Sequence, residues 1–397
     1  MPGGAMSPHE PDFDSVLEAV REIVPRLREN GLEAEDRRWI PDENVELLEK
    51  AGVFRIAVPR RFGGLDLSLP QQYAILSEIA RGCASTGWVA VAWVSTAWLA
   101  TLYPDVTQEE IFATGQVRIS GAFTAGSSTL VPTEGGYLLN GTWRFNTGCR
   151  GAEWDLVAAT VELPDGTFDE AYALVPMSEL SIADDWHVSA TIGTGSSTTT
   201  ARDVFVPAHR LVTVGEALTG TAEGRSNSGA TGRDYGLLSM VISESVAIYL
   251  GAAKGAYETF VAGLGRPIAY TTWEDQREHP LTQHQVAVAE NRIAAAEALF
   301  EKQLTLLQER ADVGEPLTDT EKATVRGRAG HAIQLVNEAV EALNSVSSAS
   351  SLARKGHFRR YRRDIEALTL HGLMNPNMSL EVHGRVLVGL DPGTPYI

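Results

Sequence analysis

Cysteine is almost absent from the sequence. Only Cys83 and Cys149 occur among its 397 residues, far apart along the chain. Two distant thiols exclude a disulfide framework and a CxxC metal clamp, and they are typical of a reducing compartment. We therefore expect a cytoplasmic protein without a metal site.

Basic residues are scarce relative to acidic ones. The chain has 33 Lys and Arg against 51 Asp and Glu, which gives a formal net charge of -18. A surface that binds nucleic acid needs clustered Lys and Arg to neutralise phosphates. Nucleic acid is therefore not an expected partner.

Secretory and membrane-spanning segments are also lacking. The first residues, MPGGAMSPHEPDFD, contain neither the basic nor the apolar region of a secretion signal. No stretch approaches an uncharged span of about 20 residues, so no membrane partner is expected. The chain does have 44% hydrophobic residues, enough over this length to bury a large core in two or three domains.

The first part of the chain has helical patterns. Apolar residues recur at three- and four-residue spacing from Asp14 to Asn30, which predicts an amphipathic helix ended by Gly31. A second helix is predicted to open at Pro41. The segment from about 70 to 103 is rich in Ala and apolar nearly all round, which predicts buried helix. We assign residues 1–115 to an N-terminal helical domain.

The pattern changes to short strands near residue 116. GGYLLNGTWRF predicts a hairpin around Asn140–Gly141, and a second hairpin is predicted around Pro164–Asp165–Gly166. A third stretch, STTTARDVFVP, predicts a strand that ends at Pro207. We assign residues 116–212 to a middle β domain.

Helical patterns return in the last part, residues 213–397. Its first segment, 218–234, is small and polar and predicts a mobile loop that could act as a lid. Runs at 236–262, 282–311, 318–352 and 359–371 then predict a four-helix bundle. The fold class is therefore α+β, mainly α.

Four motifs in this order carry a family resemblance. They are VPRRFGG, NGTWRFNTGC, WHVSATIGTGSSTTTARDVFVP, and RRYRRD before His371. The chain resembles the acyl-CoA dehydrogenase fold, and more closely the flavin-dependent monooxygenases built on it, the oxygenase components of two-component aromatic hydroxylases. The resemblance implies a β-barrel or β-sandwich middle domain and a homotetramer. It also implies a flavin bound between that domain and the C-terminal bundle.

His371 is the first catalytic candidate. By resemblance, many acyl-CoA dehydrogenases have a Glu-Gly pair after the Arg-Asp motif, where this chain has His371–Gly372. An imidazole there suits the reaction of reduced flavin with oxygen at C4a, because it can hydrogen-bond a flavin peroxide or shuttle a proton near neutral pH. The alternative is a core histidine bonded to a backbone carbonyl.

The resemblance also implies the flavin contacts. Short polar side chains and backbone amides can bond the ring edge, and Phe145 offers a flat apolar neighbour unless it is an ordinary buried strand aromatic. Relatives usually carry serine at position 146 or 147, so Asn146 is a departure and a second catalytic candidate. Ser350 and Ser351 would hold the flavin phosphate, often of a neighbouring subunit, unless they are small helix-packing residues. The implied cofactor-binding residues are Trp88, Ala122, Phe123, Thr124, Phe145, Asn146, Thr147, Ser196, Ser350 and Ser351.

Thr96 is the third catalytic candidate, on the predicted substrate side. Relatives commonly place a histidine at this position, whereas threonine can donate a hydrogen bond but cannot act as a base near pH 7. An electron-rich heteroaromatic, an amine or an enolate is then as plausible a substrate as a phenol. Nearby Trp93 and Trp98 either line an aromatic pocket or belong to the core.

The partners follow from the resemblance. No complete GxGxxG fingerprint is present, so the chain itself is not expected to bind a nicotinamide. Reduced FMN or FAD would come from a separate NAD(P)H:flavin reductase, and the substrate would be an aromatic or polycyclic small molecule. The alternatives are an amine N-oxygenase of the same fold, a dehydrogenase or oxidase with tightly bound FAD, and a non-enzymatic scaffold.

Overall fold

The N-terminal part is helical, as predicted. The structure, a computed structural model, describes residues 12–162 and 166–397. The first helix is capped by the Asp12 side chain, which accepts a hydrogen bond from the Ser15 backbone amide. The helices are α1 Phe13–Glu29, α2 Gly31–Arg37, α3 Asp42–Lys50, α4 Leu69–Gly82, α5 Ala84–Ala100 and α6 Asp105–Ile111.

The apolar segment predicted from 70 to 103 is two helices, because the chain is extended at Cys83 between α4 and α5. The carbonyl groups at the end of α4 are satisfied from a distant helix. The hydroxyl of Tyr361 lies 2.6 Å from the Arg81 oxygen and 2.5 Å from the Gly82 oxygen. Nearly all of α5 is buried, as its all-round apolar pattern predicts.

The middle part forms one eight-stranded sheet in the order β6-β7-β3-β2-β4-β5-β8, with β1 parallel to β4. Its small core is separate from the large core that the helices share. The end of β7 at Pro207 agrees with the prediction. The strands are β1 Ile119–Ala122, β2 Thr129–Thr133, β3 Gly136–Trp143, β4 Trp154–Glu162, β5 Phe168–Pro176, β6 Ser181–Ile182, β7 Thr199–Pro207 and β8 Leu211–Thr213.

The hairpin predicted at Asn140–Gly141 is wrong. Strand β3 continues through both residues, and the turn lies at Glu134–Gly135 instead. Asn140 is held across the sheet, because its amide nitrogen donates to the Asp203 carboxylate at 3.0 Å and its oxygen accepts from the Asp203 backbone at 2.9 Å. The register shift beside it marks a β-bulge, which uses the same residue types as a turn. The other predicted turn, at Pro164–Asp165, lies outside the described residues.

The C-terminal part is the predicted helical bundle, formed by α8 to α11, with a further helix α12 that the sequence did not reveal. Helix α8 has the length and apolarity of a membrane span, but 89% of that window is buried inside the protein, so it is the central core helix. The helices are α7 Val214–Thr219, α8 Leu237–Ala262, α9 Pro280–Val313, α10 Asp319–Ser345, α11 His357–Leu368 and α12 Pro376–Leu387.

The segment 218–234 is irregular beyond α7, as predicted, but it is anchored. The guanidinium of Arg225 donates to the backbone oxygens of Thr101, Gly220 and Thr231, at 2.7, 3.1 and 3.2 Å. The Asp105 carboxylate accepts from the backbone of the neighbouring Ser226 at 3.0 Å. The polar residues of this segment therefore bond to the N-terminal helices, and its role as a mobile lid stays a prediction.

Candidate active site

His371 lies in the turn that follows α11. Its backbone amide donates to the Leu368 oxygen at 3.0 Å, so the chain leaves the helix just before this residue. The side chain is exposed, which excludes the alternative of a core histidine. The protein around the ring still lowers the pKa of His371, because desolvation disfavours the charged imidazolium. The imidazole is therefore neutral at pH 7 and can donate from one nitrogen and accept at the other.

The ring of His371 is positioned by an aromatic contact with Trp88, which is itself held by a second helix. Its centroid is 5.5 Å from that of Trp88 on α5, in an edge-to-face arrangement. Trp88 is also edge-to-face with Tyr249 on α8, at 6.4 Å. The Tyr249 hydroxyl donates to the Leu368 oxygen at 2.6 Å and so fixes the end of the helix that carries His371. Trp88 is half-buried here, whereas Trp93 and Trp98 are core residues.

The end of β1 meets the predicted substrate-side helix. A Cβ atom placed on Gly121 would lie 2.6 Å from Cζ of Phe123 and 3.0 Å from Oγ1 of Thr96, so only glycine allows this approach. Phe123 is 43% exposed and Thr124 is exposed, whereas Ala122 is buried. The structure therefore brings Thr96 and the predicted flavin-lining strand together.

In the segment Phe145–Thr147 the aromatic ring of Phe145 is exposed and the side-chain amide of Asn146 is buried. Phe145 is 71% exposed with a left-handed φ of 59°, which excludes the buried-aromatic alternative. Asn146 is fully buried, so its amide points into the sheet instead of standing open as a catalytic group would. The Thr147 hydroxyl is 2.9 Å from the Ser196 hydroxyl, which joins this segment to the GTGSS turn.

A buried carboxylate that the sequence analysis missed lies behind Asn146. The Asn146 amide nitrogen donates to Asp155 Oδ2 at 2.6 Å, and the Ser120 hydroxyl donates to Asp155 Oδ1 at 2.9 Å. Burial raises the pKa of Asp155 to about 6 against these stabilising hydrogen bonds. An aspartate in an apolar strand, WDLVAATVE, was the signal that could have revealed it.

A second buried aspartate joins the site's elements. Asp364, in the RRYRRD motif on α11, accepts a hydrogen bond from the Thr191 backbone at 2.7 Å and from the Ser85 hydroxyl at 3.3 Å. It thereby connects α11 to the start of α5 and to the chain just before GTGSS. The motif was recognised only as a family marker, and the structure shows its physical role.

Ser350 and Ser351 are not brought to the other predicted residues. They lie in the short 3₁₀ helix Ala349–Leu352 beyond α10, where Ser350 is exposed and Ser351 is half-buried. Ser350 is therefore not a helix-packing residue.

These features fit a flavin ring. Two exposed aromatic rings, Phe123 and Phe145, stand near short hydroxyl groups, and the buried Asn146 Oδ1 has no hydrogen-bond partner among the described residues. An isoalloxazine needs apolar faces together with acceptors and donors along its edge.

Comparison with known families agrees with this architecture. The acyl-CoA dehydrogenase N-terminal domain matches residues 11–110, and the acyl-CoA dehydrogenase C-terminal domain matches residues 244–376, together more than half of the chain. The chain belongs to the acyl-CoA dehydrogenase family.

Its relatives define the branch. It is 29% identical to the flavin-dependent monooxygenase oxygenase subunit HsaA of Mycobacterium tuberculosis, covering 97% of this chain and 98% of that protein. It is also 29% identical to the oxygenase component of an FADH2-dependent resorcinol hydroxylase of a Rhizobium species, with 94% of each chain covered. The solved structure of XiaF from Streptomyces with FADH2 and glycerol matches with a TM-score of 0.90 and 26% identity, covering 97% of this chain and 98% of that one. The chain is a flavin-dependent monooxygenase of the acyl-CoA dehydrogenase fold.

Proposed function

We propose that this chain, as the oxygenase component of a two-component hydroxylase, transfers one oxygen atom of O2 to an aromatic or polycyclic small molecule. The carrying observation is His371. Where the resemblance places the carboxylate base of the dehydrogenases, this chain exposes a neutral imidazole beside Trp88. The dehydrogenases use a carboxylate as the base in thioester chemistry. A neutral imidazole is better suited to donating or shuttling a proton in the reaction of reduced flavin with oxygen.

The cofactor in this proposal is reduced FMN or FAD, which supplies the electrons that activate oxygen. Phe123 and Phe145 would contact the faces of the ring, and Thr147 with Ser196 would bond its edge. Relatives found with FADH2 and with FMN bound support both forms of the cofactor.

In this proposal His371 holds a proton next to the reacting oxygen. The neutral ring can donate from one nitrogen while the other accepts from water or substrate. The contacts with Trp88 keep it in one orientation, and the apolar walls of the cleft limit the access of water. Together these effects would prevent the loss of activated oxygen as hydrogen peroxide.

The substrate proposal rests on the relatives and on Thr96. The relatives' names include resorcinol, p-hydroxyphenylacetate and indole-3-acetate, which are all aromatic. Thr96 is buried against Gly121 and cannot deprotonate a phenol. A substrate that is already electron-rich is therefore favoured. The same observation supports the second candidate, an amine N-oxygenase.

Among the described residues we find no carboxylate that could act as the base of a dehydrogenase reaction. Glu244 on α8 is a buried carboxyl group, but it is enclosed, paired with the Ser95 hydroxyl, and burial raises its pKa to about 8. A neutral, enclosed acid cannot remove a proton from a thioester in the cleft.

The partners proposed are a separate NAD(P)H:flavin reductase and three further copies of the chain, in the cytoplasm. A tetramer is supported by the exposed position of Ser350 and by the exposed apolar residues at the end of α12 and just after it, Leu387, Val388 and Leu390.

The test is a reconstituted reaction with NADH, FMN, a flavin reductase and a panel of phenols, indoles and arylamines. Hydroxylated product, together with slow reappearance of oxidised flavin after reduced flavin meets oxygen, is the expected result. A protein purified with tightly bound FAD that acyl-CoA bleaches without oxygen would instead identify a dehydrogenase.

A further inference from the structure

Asp155 is a buried charge at the centre of the sheet, and the function described so far does not use it. Its carboxylate accepts hydrogen bonds from Ser120 at 2.9 Å, Asn146 at 2.6 Å and Thr199 at 3.4 Å. The residue is completely buried. A buried carboxylate is costly unless such donors surround it, so its presence in a strand core points to a purpose beyond packing.

The donors come from three separate segments, and each continues directly into residues predicted to contact the flavin. Ser120 lies in β1, just before Ala122. Asn146 lies between Phe145 and Thr147. Thr199 begins β7, shortly after Ser196. One carboxylate therefore connects three segments that carry residues predicted to contact the flavin.

Asp155 also determines which way the Asn146 amide points. The amide nitrogen of Asn146 donates both to Asp155 and to the Thr199 hydroxyl, at 2.6 and 2.9 Å. The reversed orientation would place the amide oxygen against the carboxylate, which is repulsive. The oxygen left over, Oδ1, is the atom without a hydrogen-bond partner among the described residues.

The neighbouring Phe145 needs such an anchor. Its left-handed φ of 59° is unfavourable for a bulky residue and persists only where the surroundings impose it. Its ring is 71% exposed and meets the Trp186 ring edge-on, at 6.0 Å between centroids, so most of the ring is not held by packing. The Asn146 side chain, fixed from within the sheet, is the anchor next in sequence.

We propose that Asp155 is the positioning residue of the flavin site, which fixes the buried Asn146 side chain so that the neighbouring Phe145 is presented to the ring. This inference rests on the proposed function, because it assumes that the flavin binds at this face. It explains the asparagine at a position where the resemblance leads one to expect serine.

The test compares the FMN affinity of the wild-type protein and Asp155→Asn. Binding is measured at pH 8 by fluorescence quenching for oxidised FMN and by anaerobic titration for reduced FMN. The Asp155→Asn protein should bind reduced FMN at least tenfold more weakly, because its amide no longer dictates the orientation of Asn146. Its melting temperature is measured in parallel.

Ser120→Ala is the matched control. It removes one hydrogen bond to the other carboxylate oxygen and leaves the contact between Asp155 and Asn146 intact. Its FMN affinity should stay within twofold of wild type. An equal loss of affinity in both variants would overturn the proposal, since it would indicate general damage to the sheet, and so would wild-type affinity in Asp155→Asn.

Asn146→Ala separates positioning from folding. It should weaken FMN binding as much as Asp155→Asn does, and the double variant should bind no more weakly than either single one, because both act through the same amide. If Asp155→Asn does not fold, Asn146→Ala carries the test, and unchanged affinity in it overturns the proposal. A wild-type protein that binds no flavin would instead refute the proposed function.

Discussion

The imidazole of His371 meets the indole of Trp88 edge to face, with their centroids 5.5 Å apart and their planes at 70°. The indole also meets Tyr249, whose hydroxyl holds the last turn of α11. Two helices distant in sequence thus fix both the ring and the chain that carries it. A group that donates or accepts a proton beside activated oxygen must be held in a fixed position, and these contacts hold His371 in this way.

Replacing His371 should uncouple the reaction. In His371→Ala we expect the share of consumed oxygen that appears in product to fall about tenfold and hydrogen peroxide to rise correspondingly, since one positioned proton donor contributes roughly 10²-fold or more. Oxygen consumption and product are measured together. His284→Ala, on the exposed side of α9, is the control. Equal coupling in wild type and His371→Ala would return His371 to a structural role.

The pH dependence of coupling should follow His371. Desolvation by the surrounding protein lowers the pKa of His371 below the ordinary value of 6.5, so the ring is mainly neutral from pH 7 to 9. If the neutral ring is the active form, coupling should be constant in that range and fall only at a pH below 6.5. His371→Gln should remove that fall. A loss of coupling centred above pH 7 would contradict the prediction.

Trp88 should matter more for coupling than for stability. It is only half-buried, so Trp88→Ala should lower the free energy of unfolding by roughly 2 kcal/mol, less than the ~3–5 kcal/mol typical of a core tryptophan. The freed His371 ring should nevertheless raise the peroxide yield. Trp93→Ala, in the core, should lower the free energy of unfolding more and change the peroxide yield less. Urea unfolding and peroxide assays on both variants decide between these outcomes.

The helices could be predicted from the sequence because apolar spacing records which face is buried. The buried α5 follows from such a local pattern, whereas the last bundle helix was predicted to reach residue 371 and ends at Leu368. The prediction that His371, Phe123 and Phe145 share one site has a different basis, the resemblance of the motifs to those of a family, and it stays a prediction.

Contacts between distant residues could not be predicted. Asn140 was predicted to form a turn, but its side chain donates to Asp203 across the sheet. Asn146 was predicted to contact the flavin, and its amide nitrogen donates to the buried Asp155. Arg225 satisfies backbone oxygens of a helix end far away in sequence. Each pairing depends on which strands and loops become neighbours, and the composition of a single segment carries no record of that.

The anchored loop 218–234 gives a different expectation from a free lid. Arg225→Ala removes the guanidinium that donates to the backbone oxygens of Gly220 and Thr231, which should cost about 1–3 kcal/mol. The Thr101 oxygen keeps its hydrogen bonds from Gln108 and Asn227. The loop should also become a preferred site of limited proteolysis. Arg202→Ala, an exposed arginine on β7, is the control. If Arg225→Ala resists protease as wild type does, the anchoring bonds are not what holds the loop.

Glu244 should make the protein less stable as the pH rises. Burial raises its pKa from 4.5 to about 8 in the folded chain, so the unfolded chain releases its proton first. The stabilising contribution of the neutral acid is complete below about pH 4.5 and is lost progressively up to about pH 8, at roughly 1.4 kcal/mol per pH unit for an ideal single site. Glu244→Gln cannot ionise and should not show this loss.

Urea unfolding of both proteins at pH 6 and pH 8.5 measures the difference. Glu244→Gln should gain stability relative to wild type between these two values, because only the wild type must keep a carboxyl group protonated inside the fold. Glu309→Gln, on the exposed face of α9, controls for the loss of one negative charge. A constant difference between wild type and Glu244→Gln would mean that the carboxyl group opens to water and ionises without unfolding, and such access would bring Glu244 back as a candidate base in the cleft.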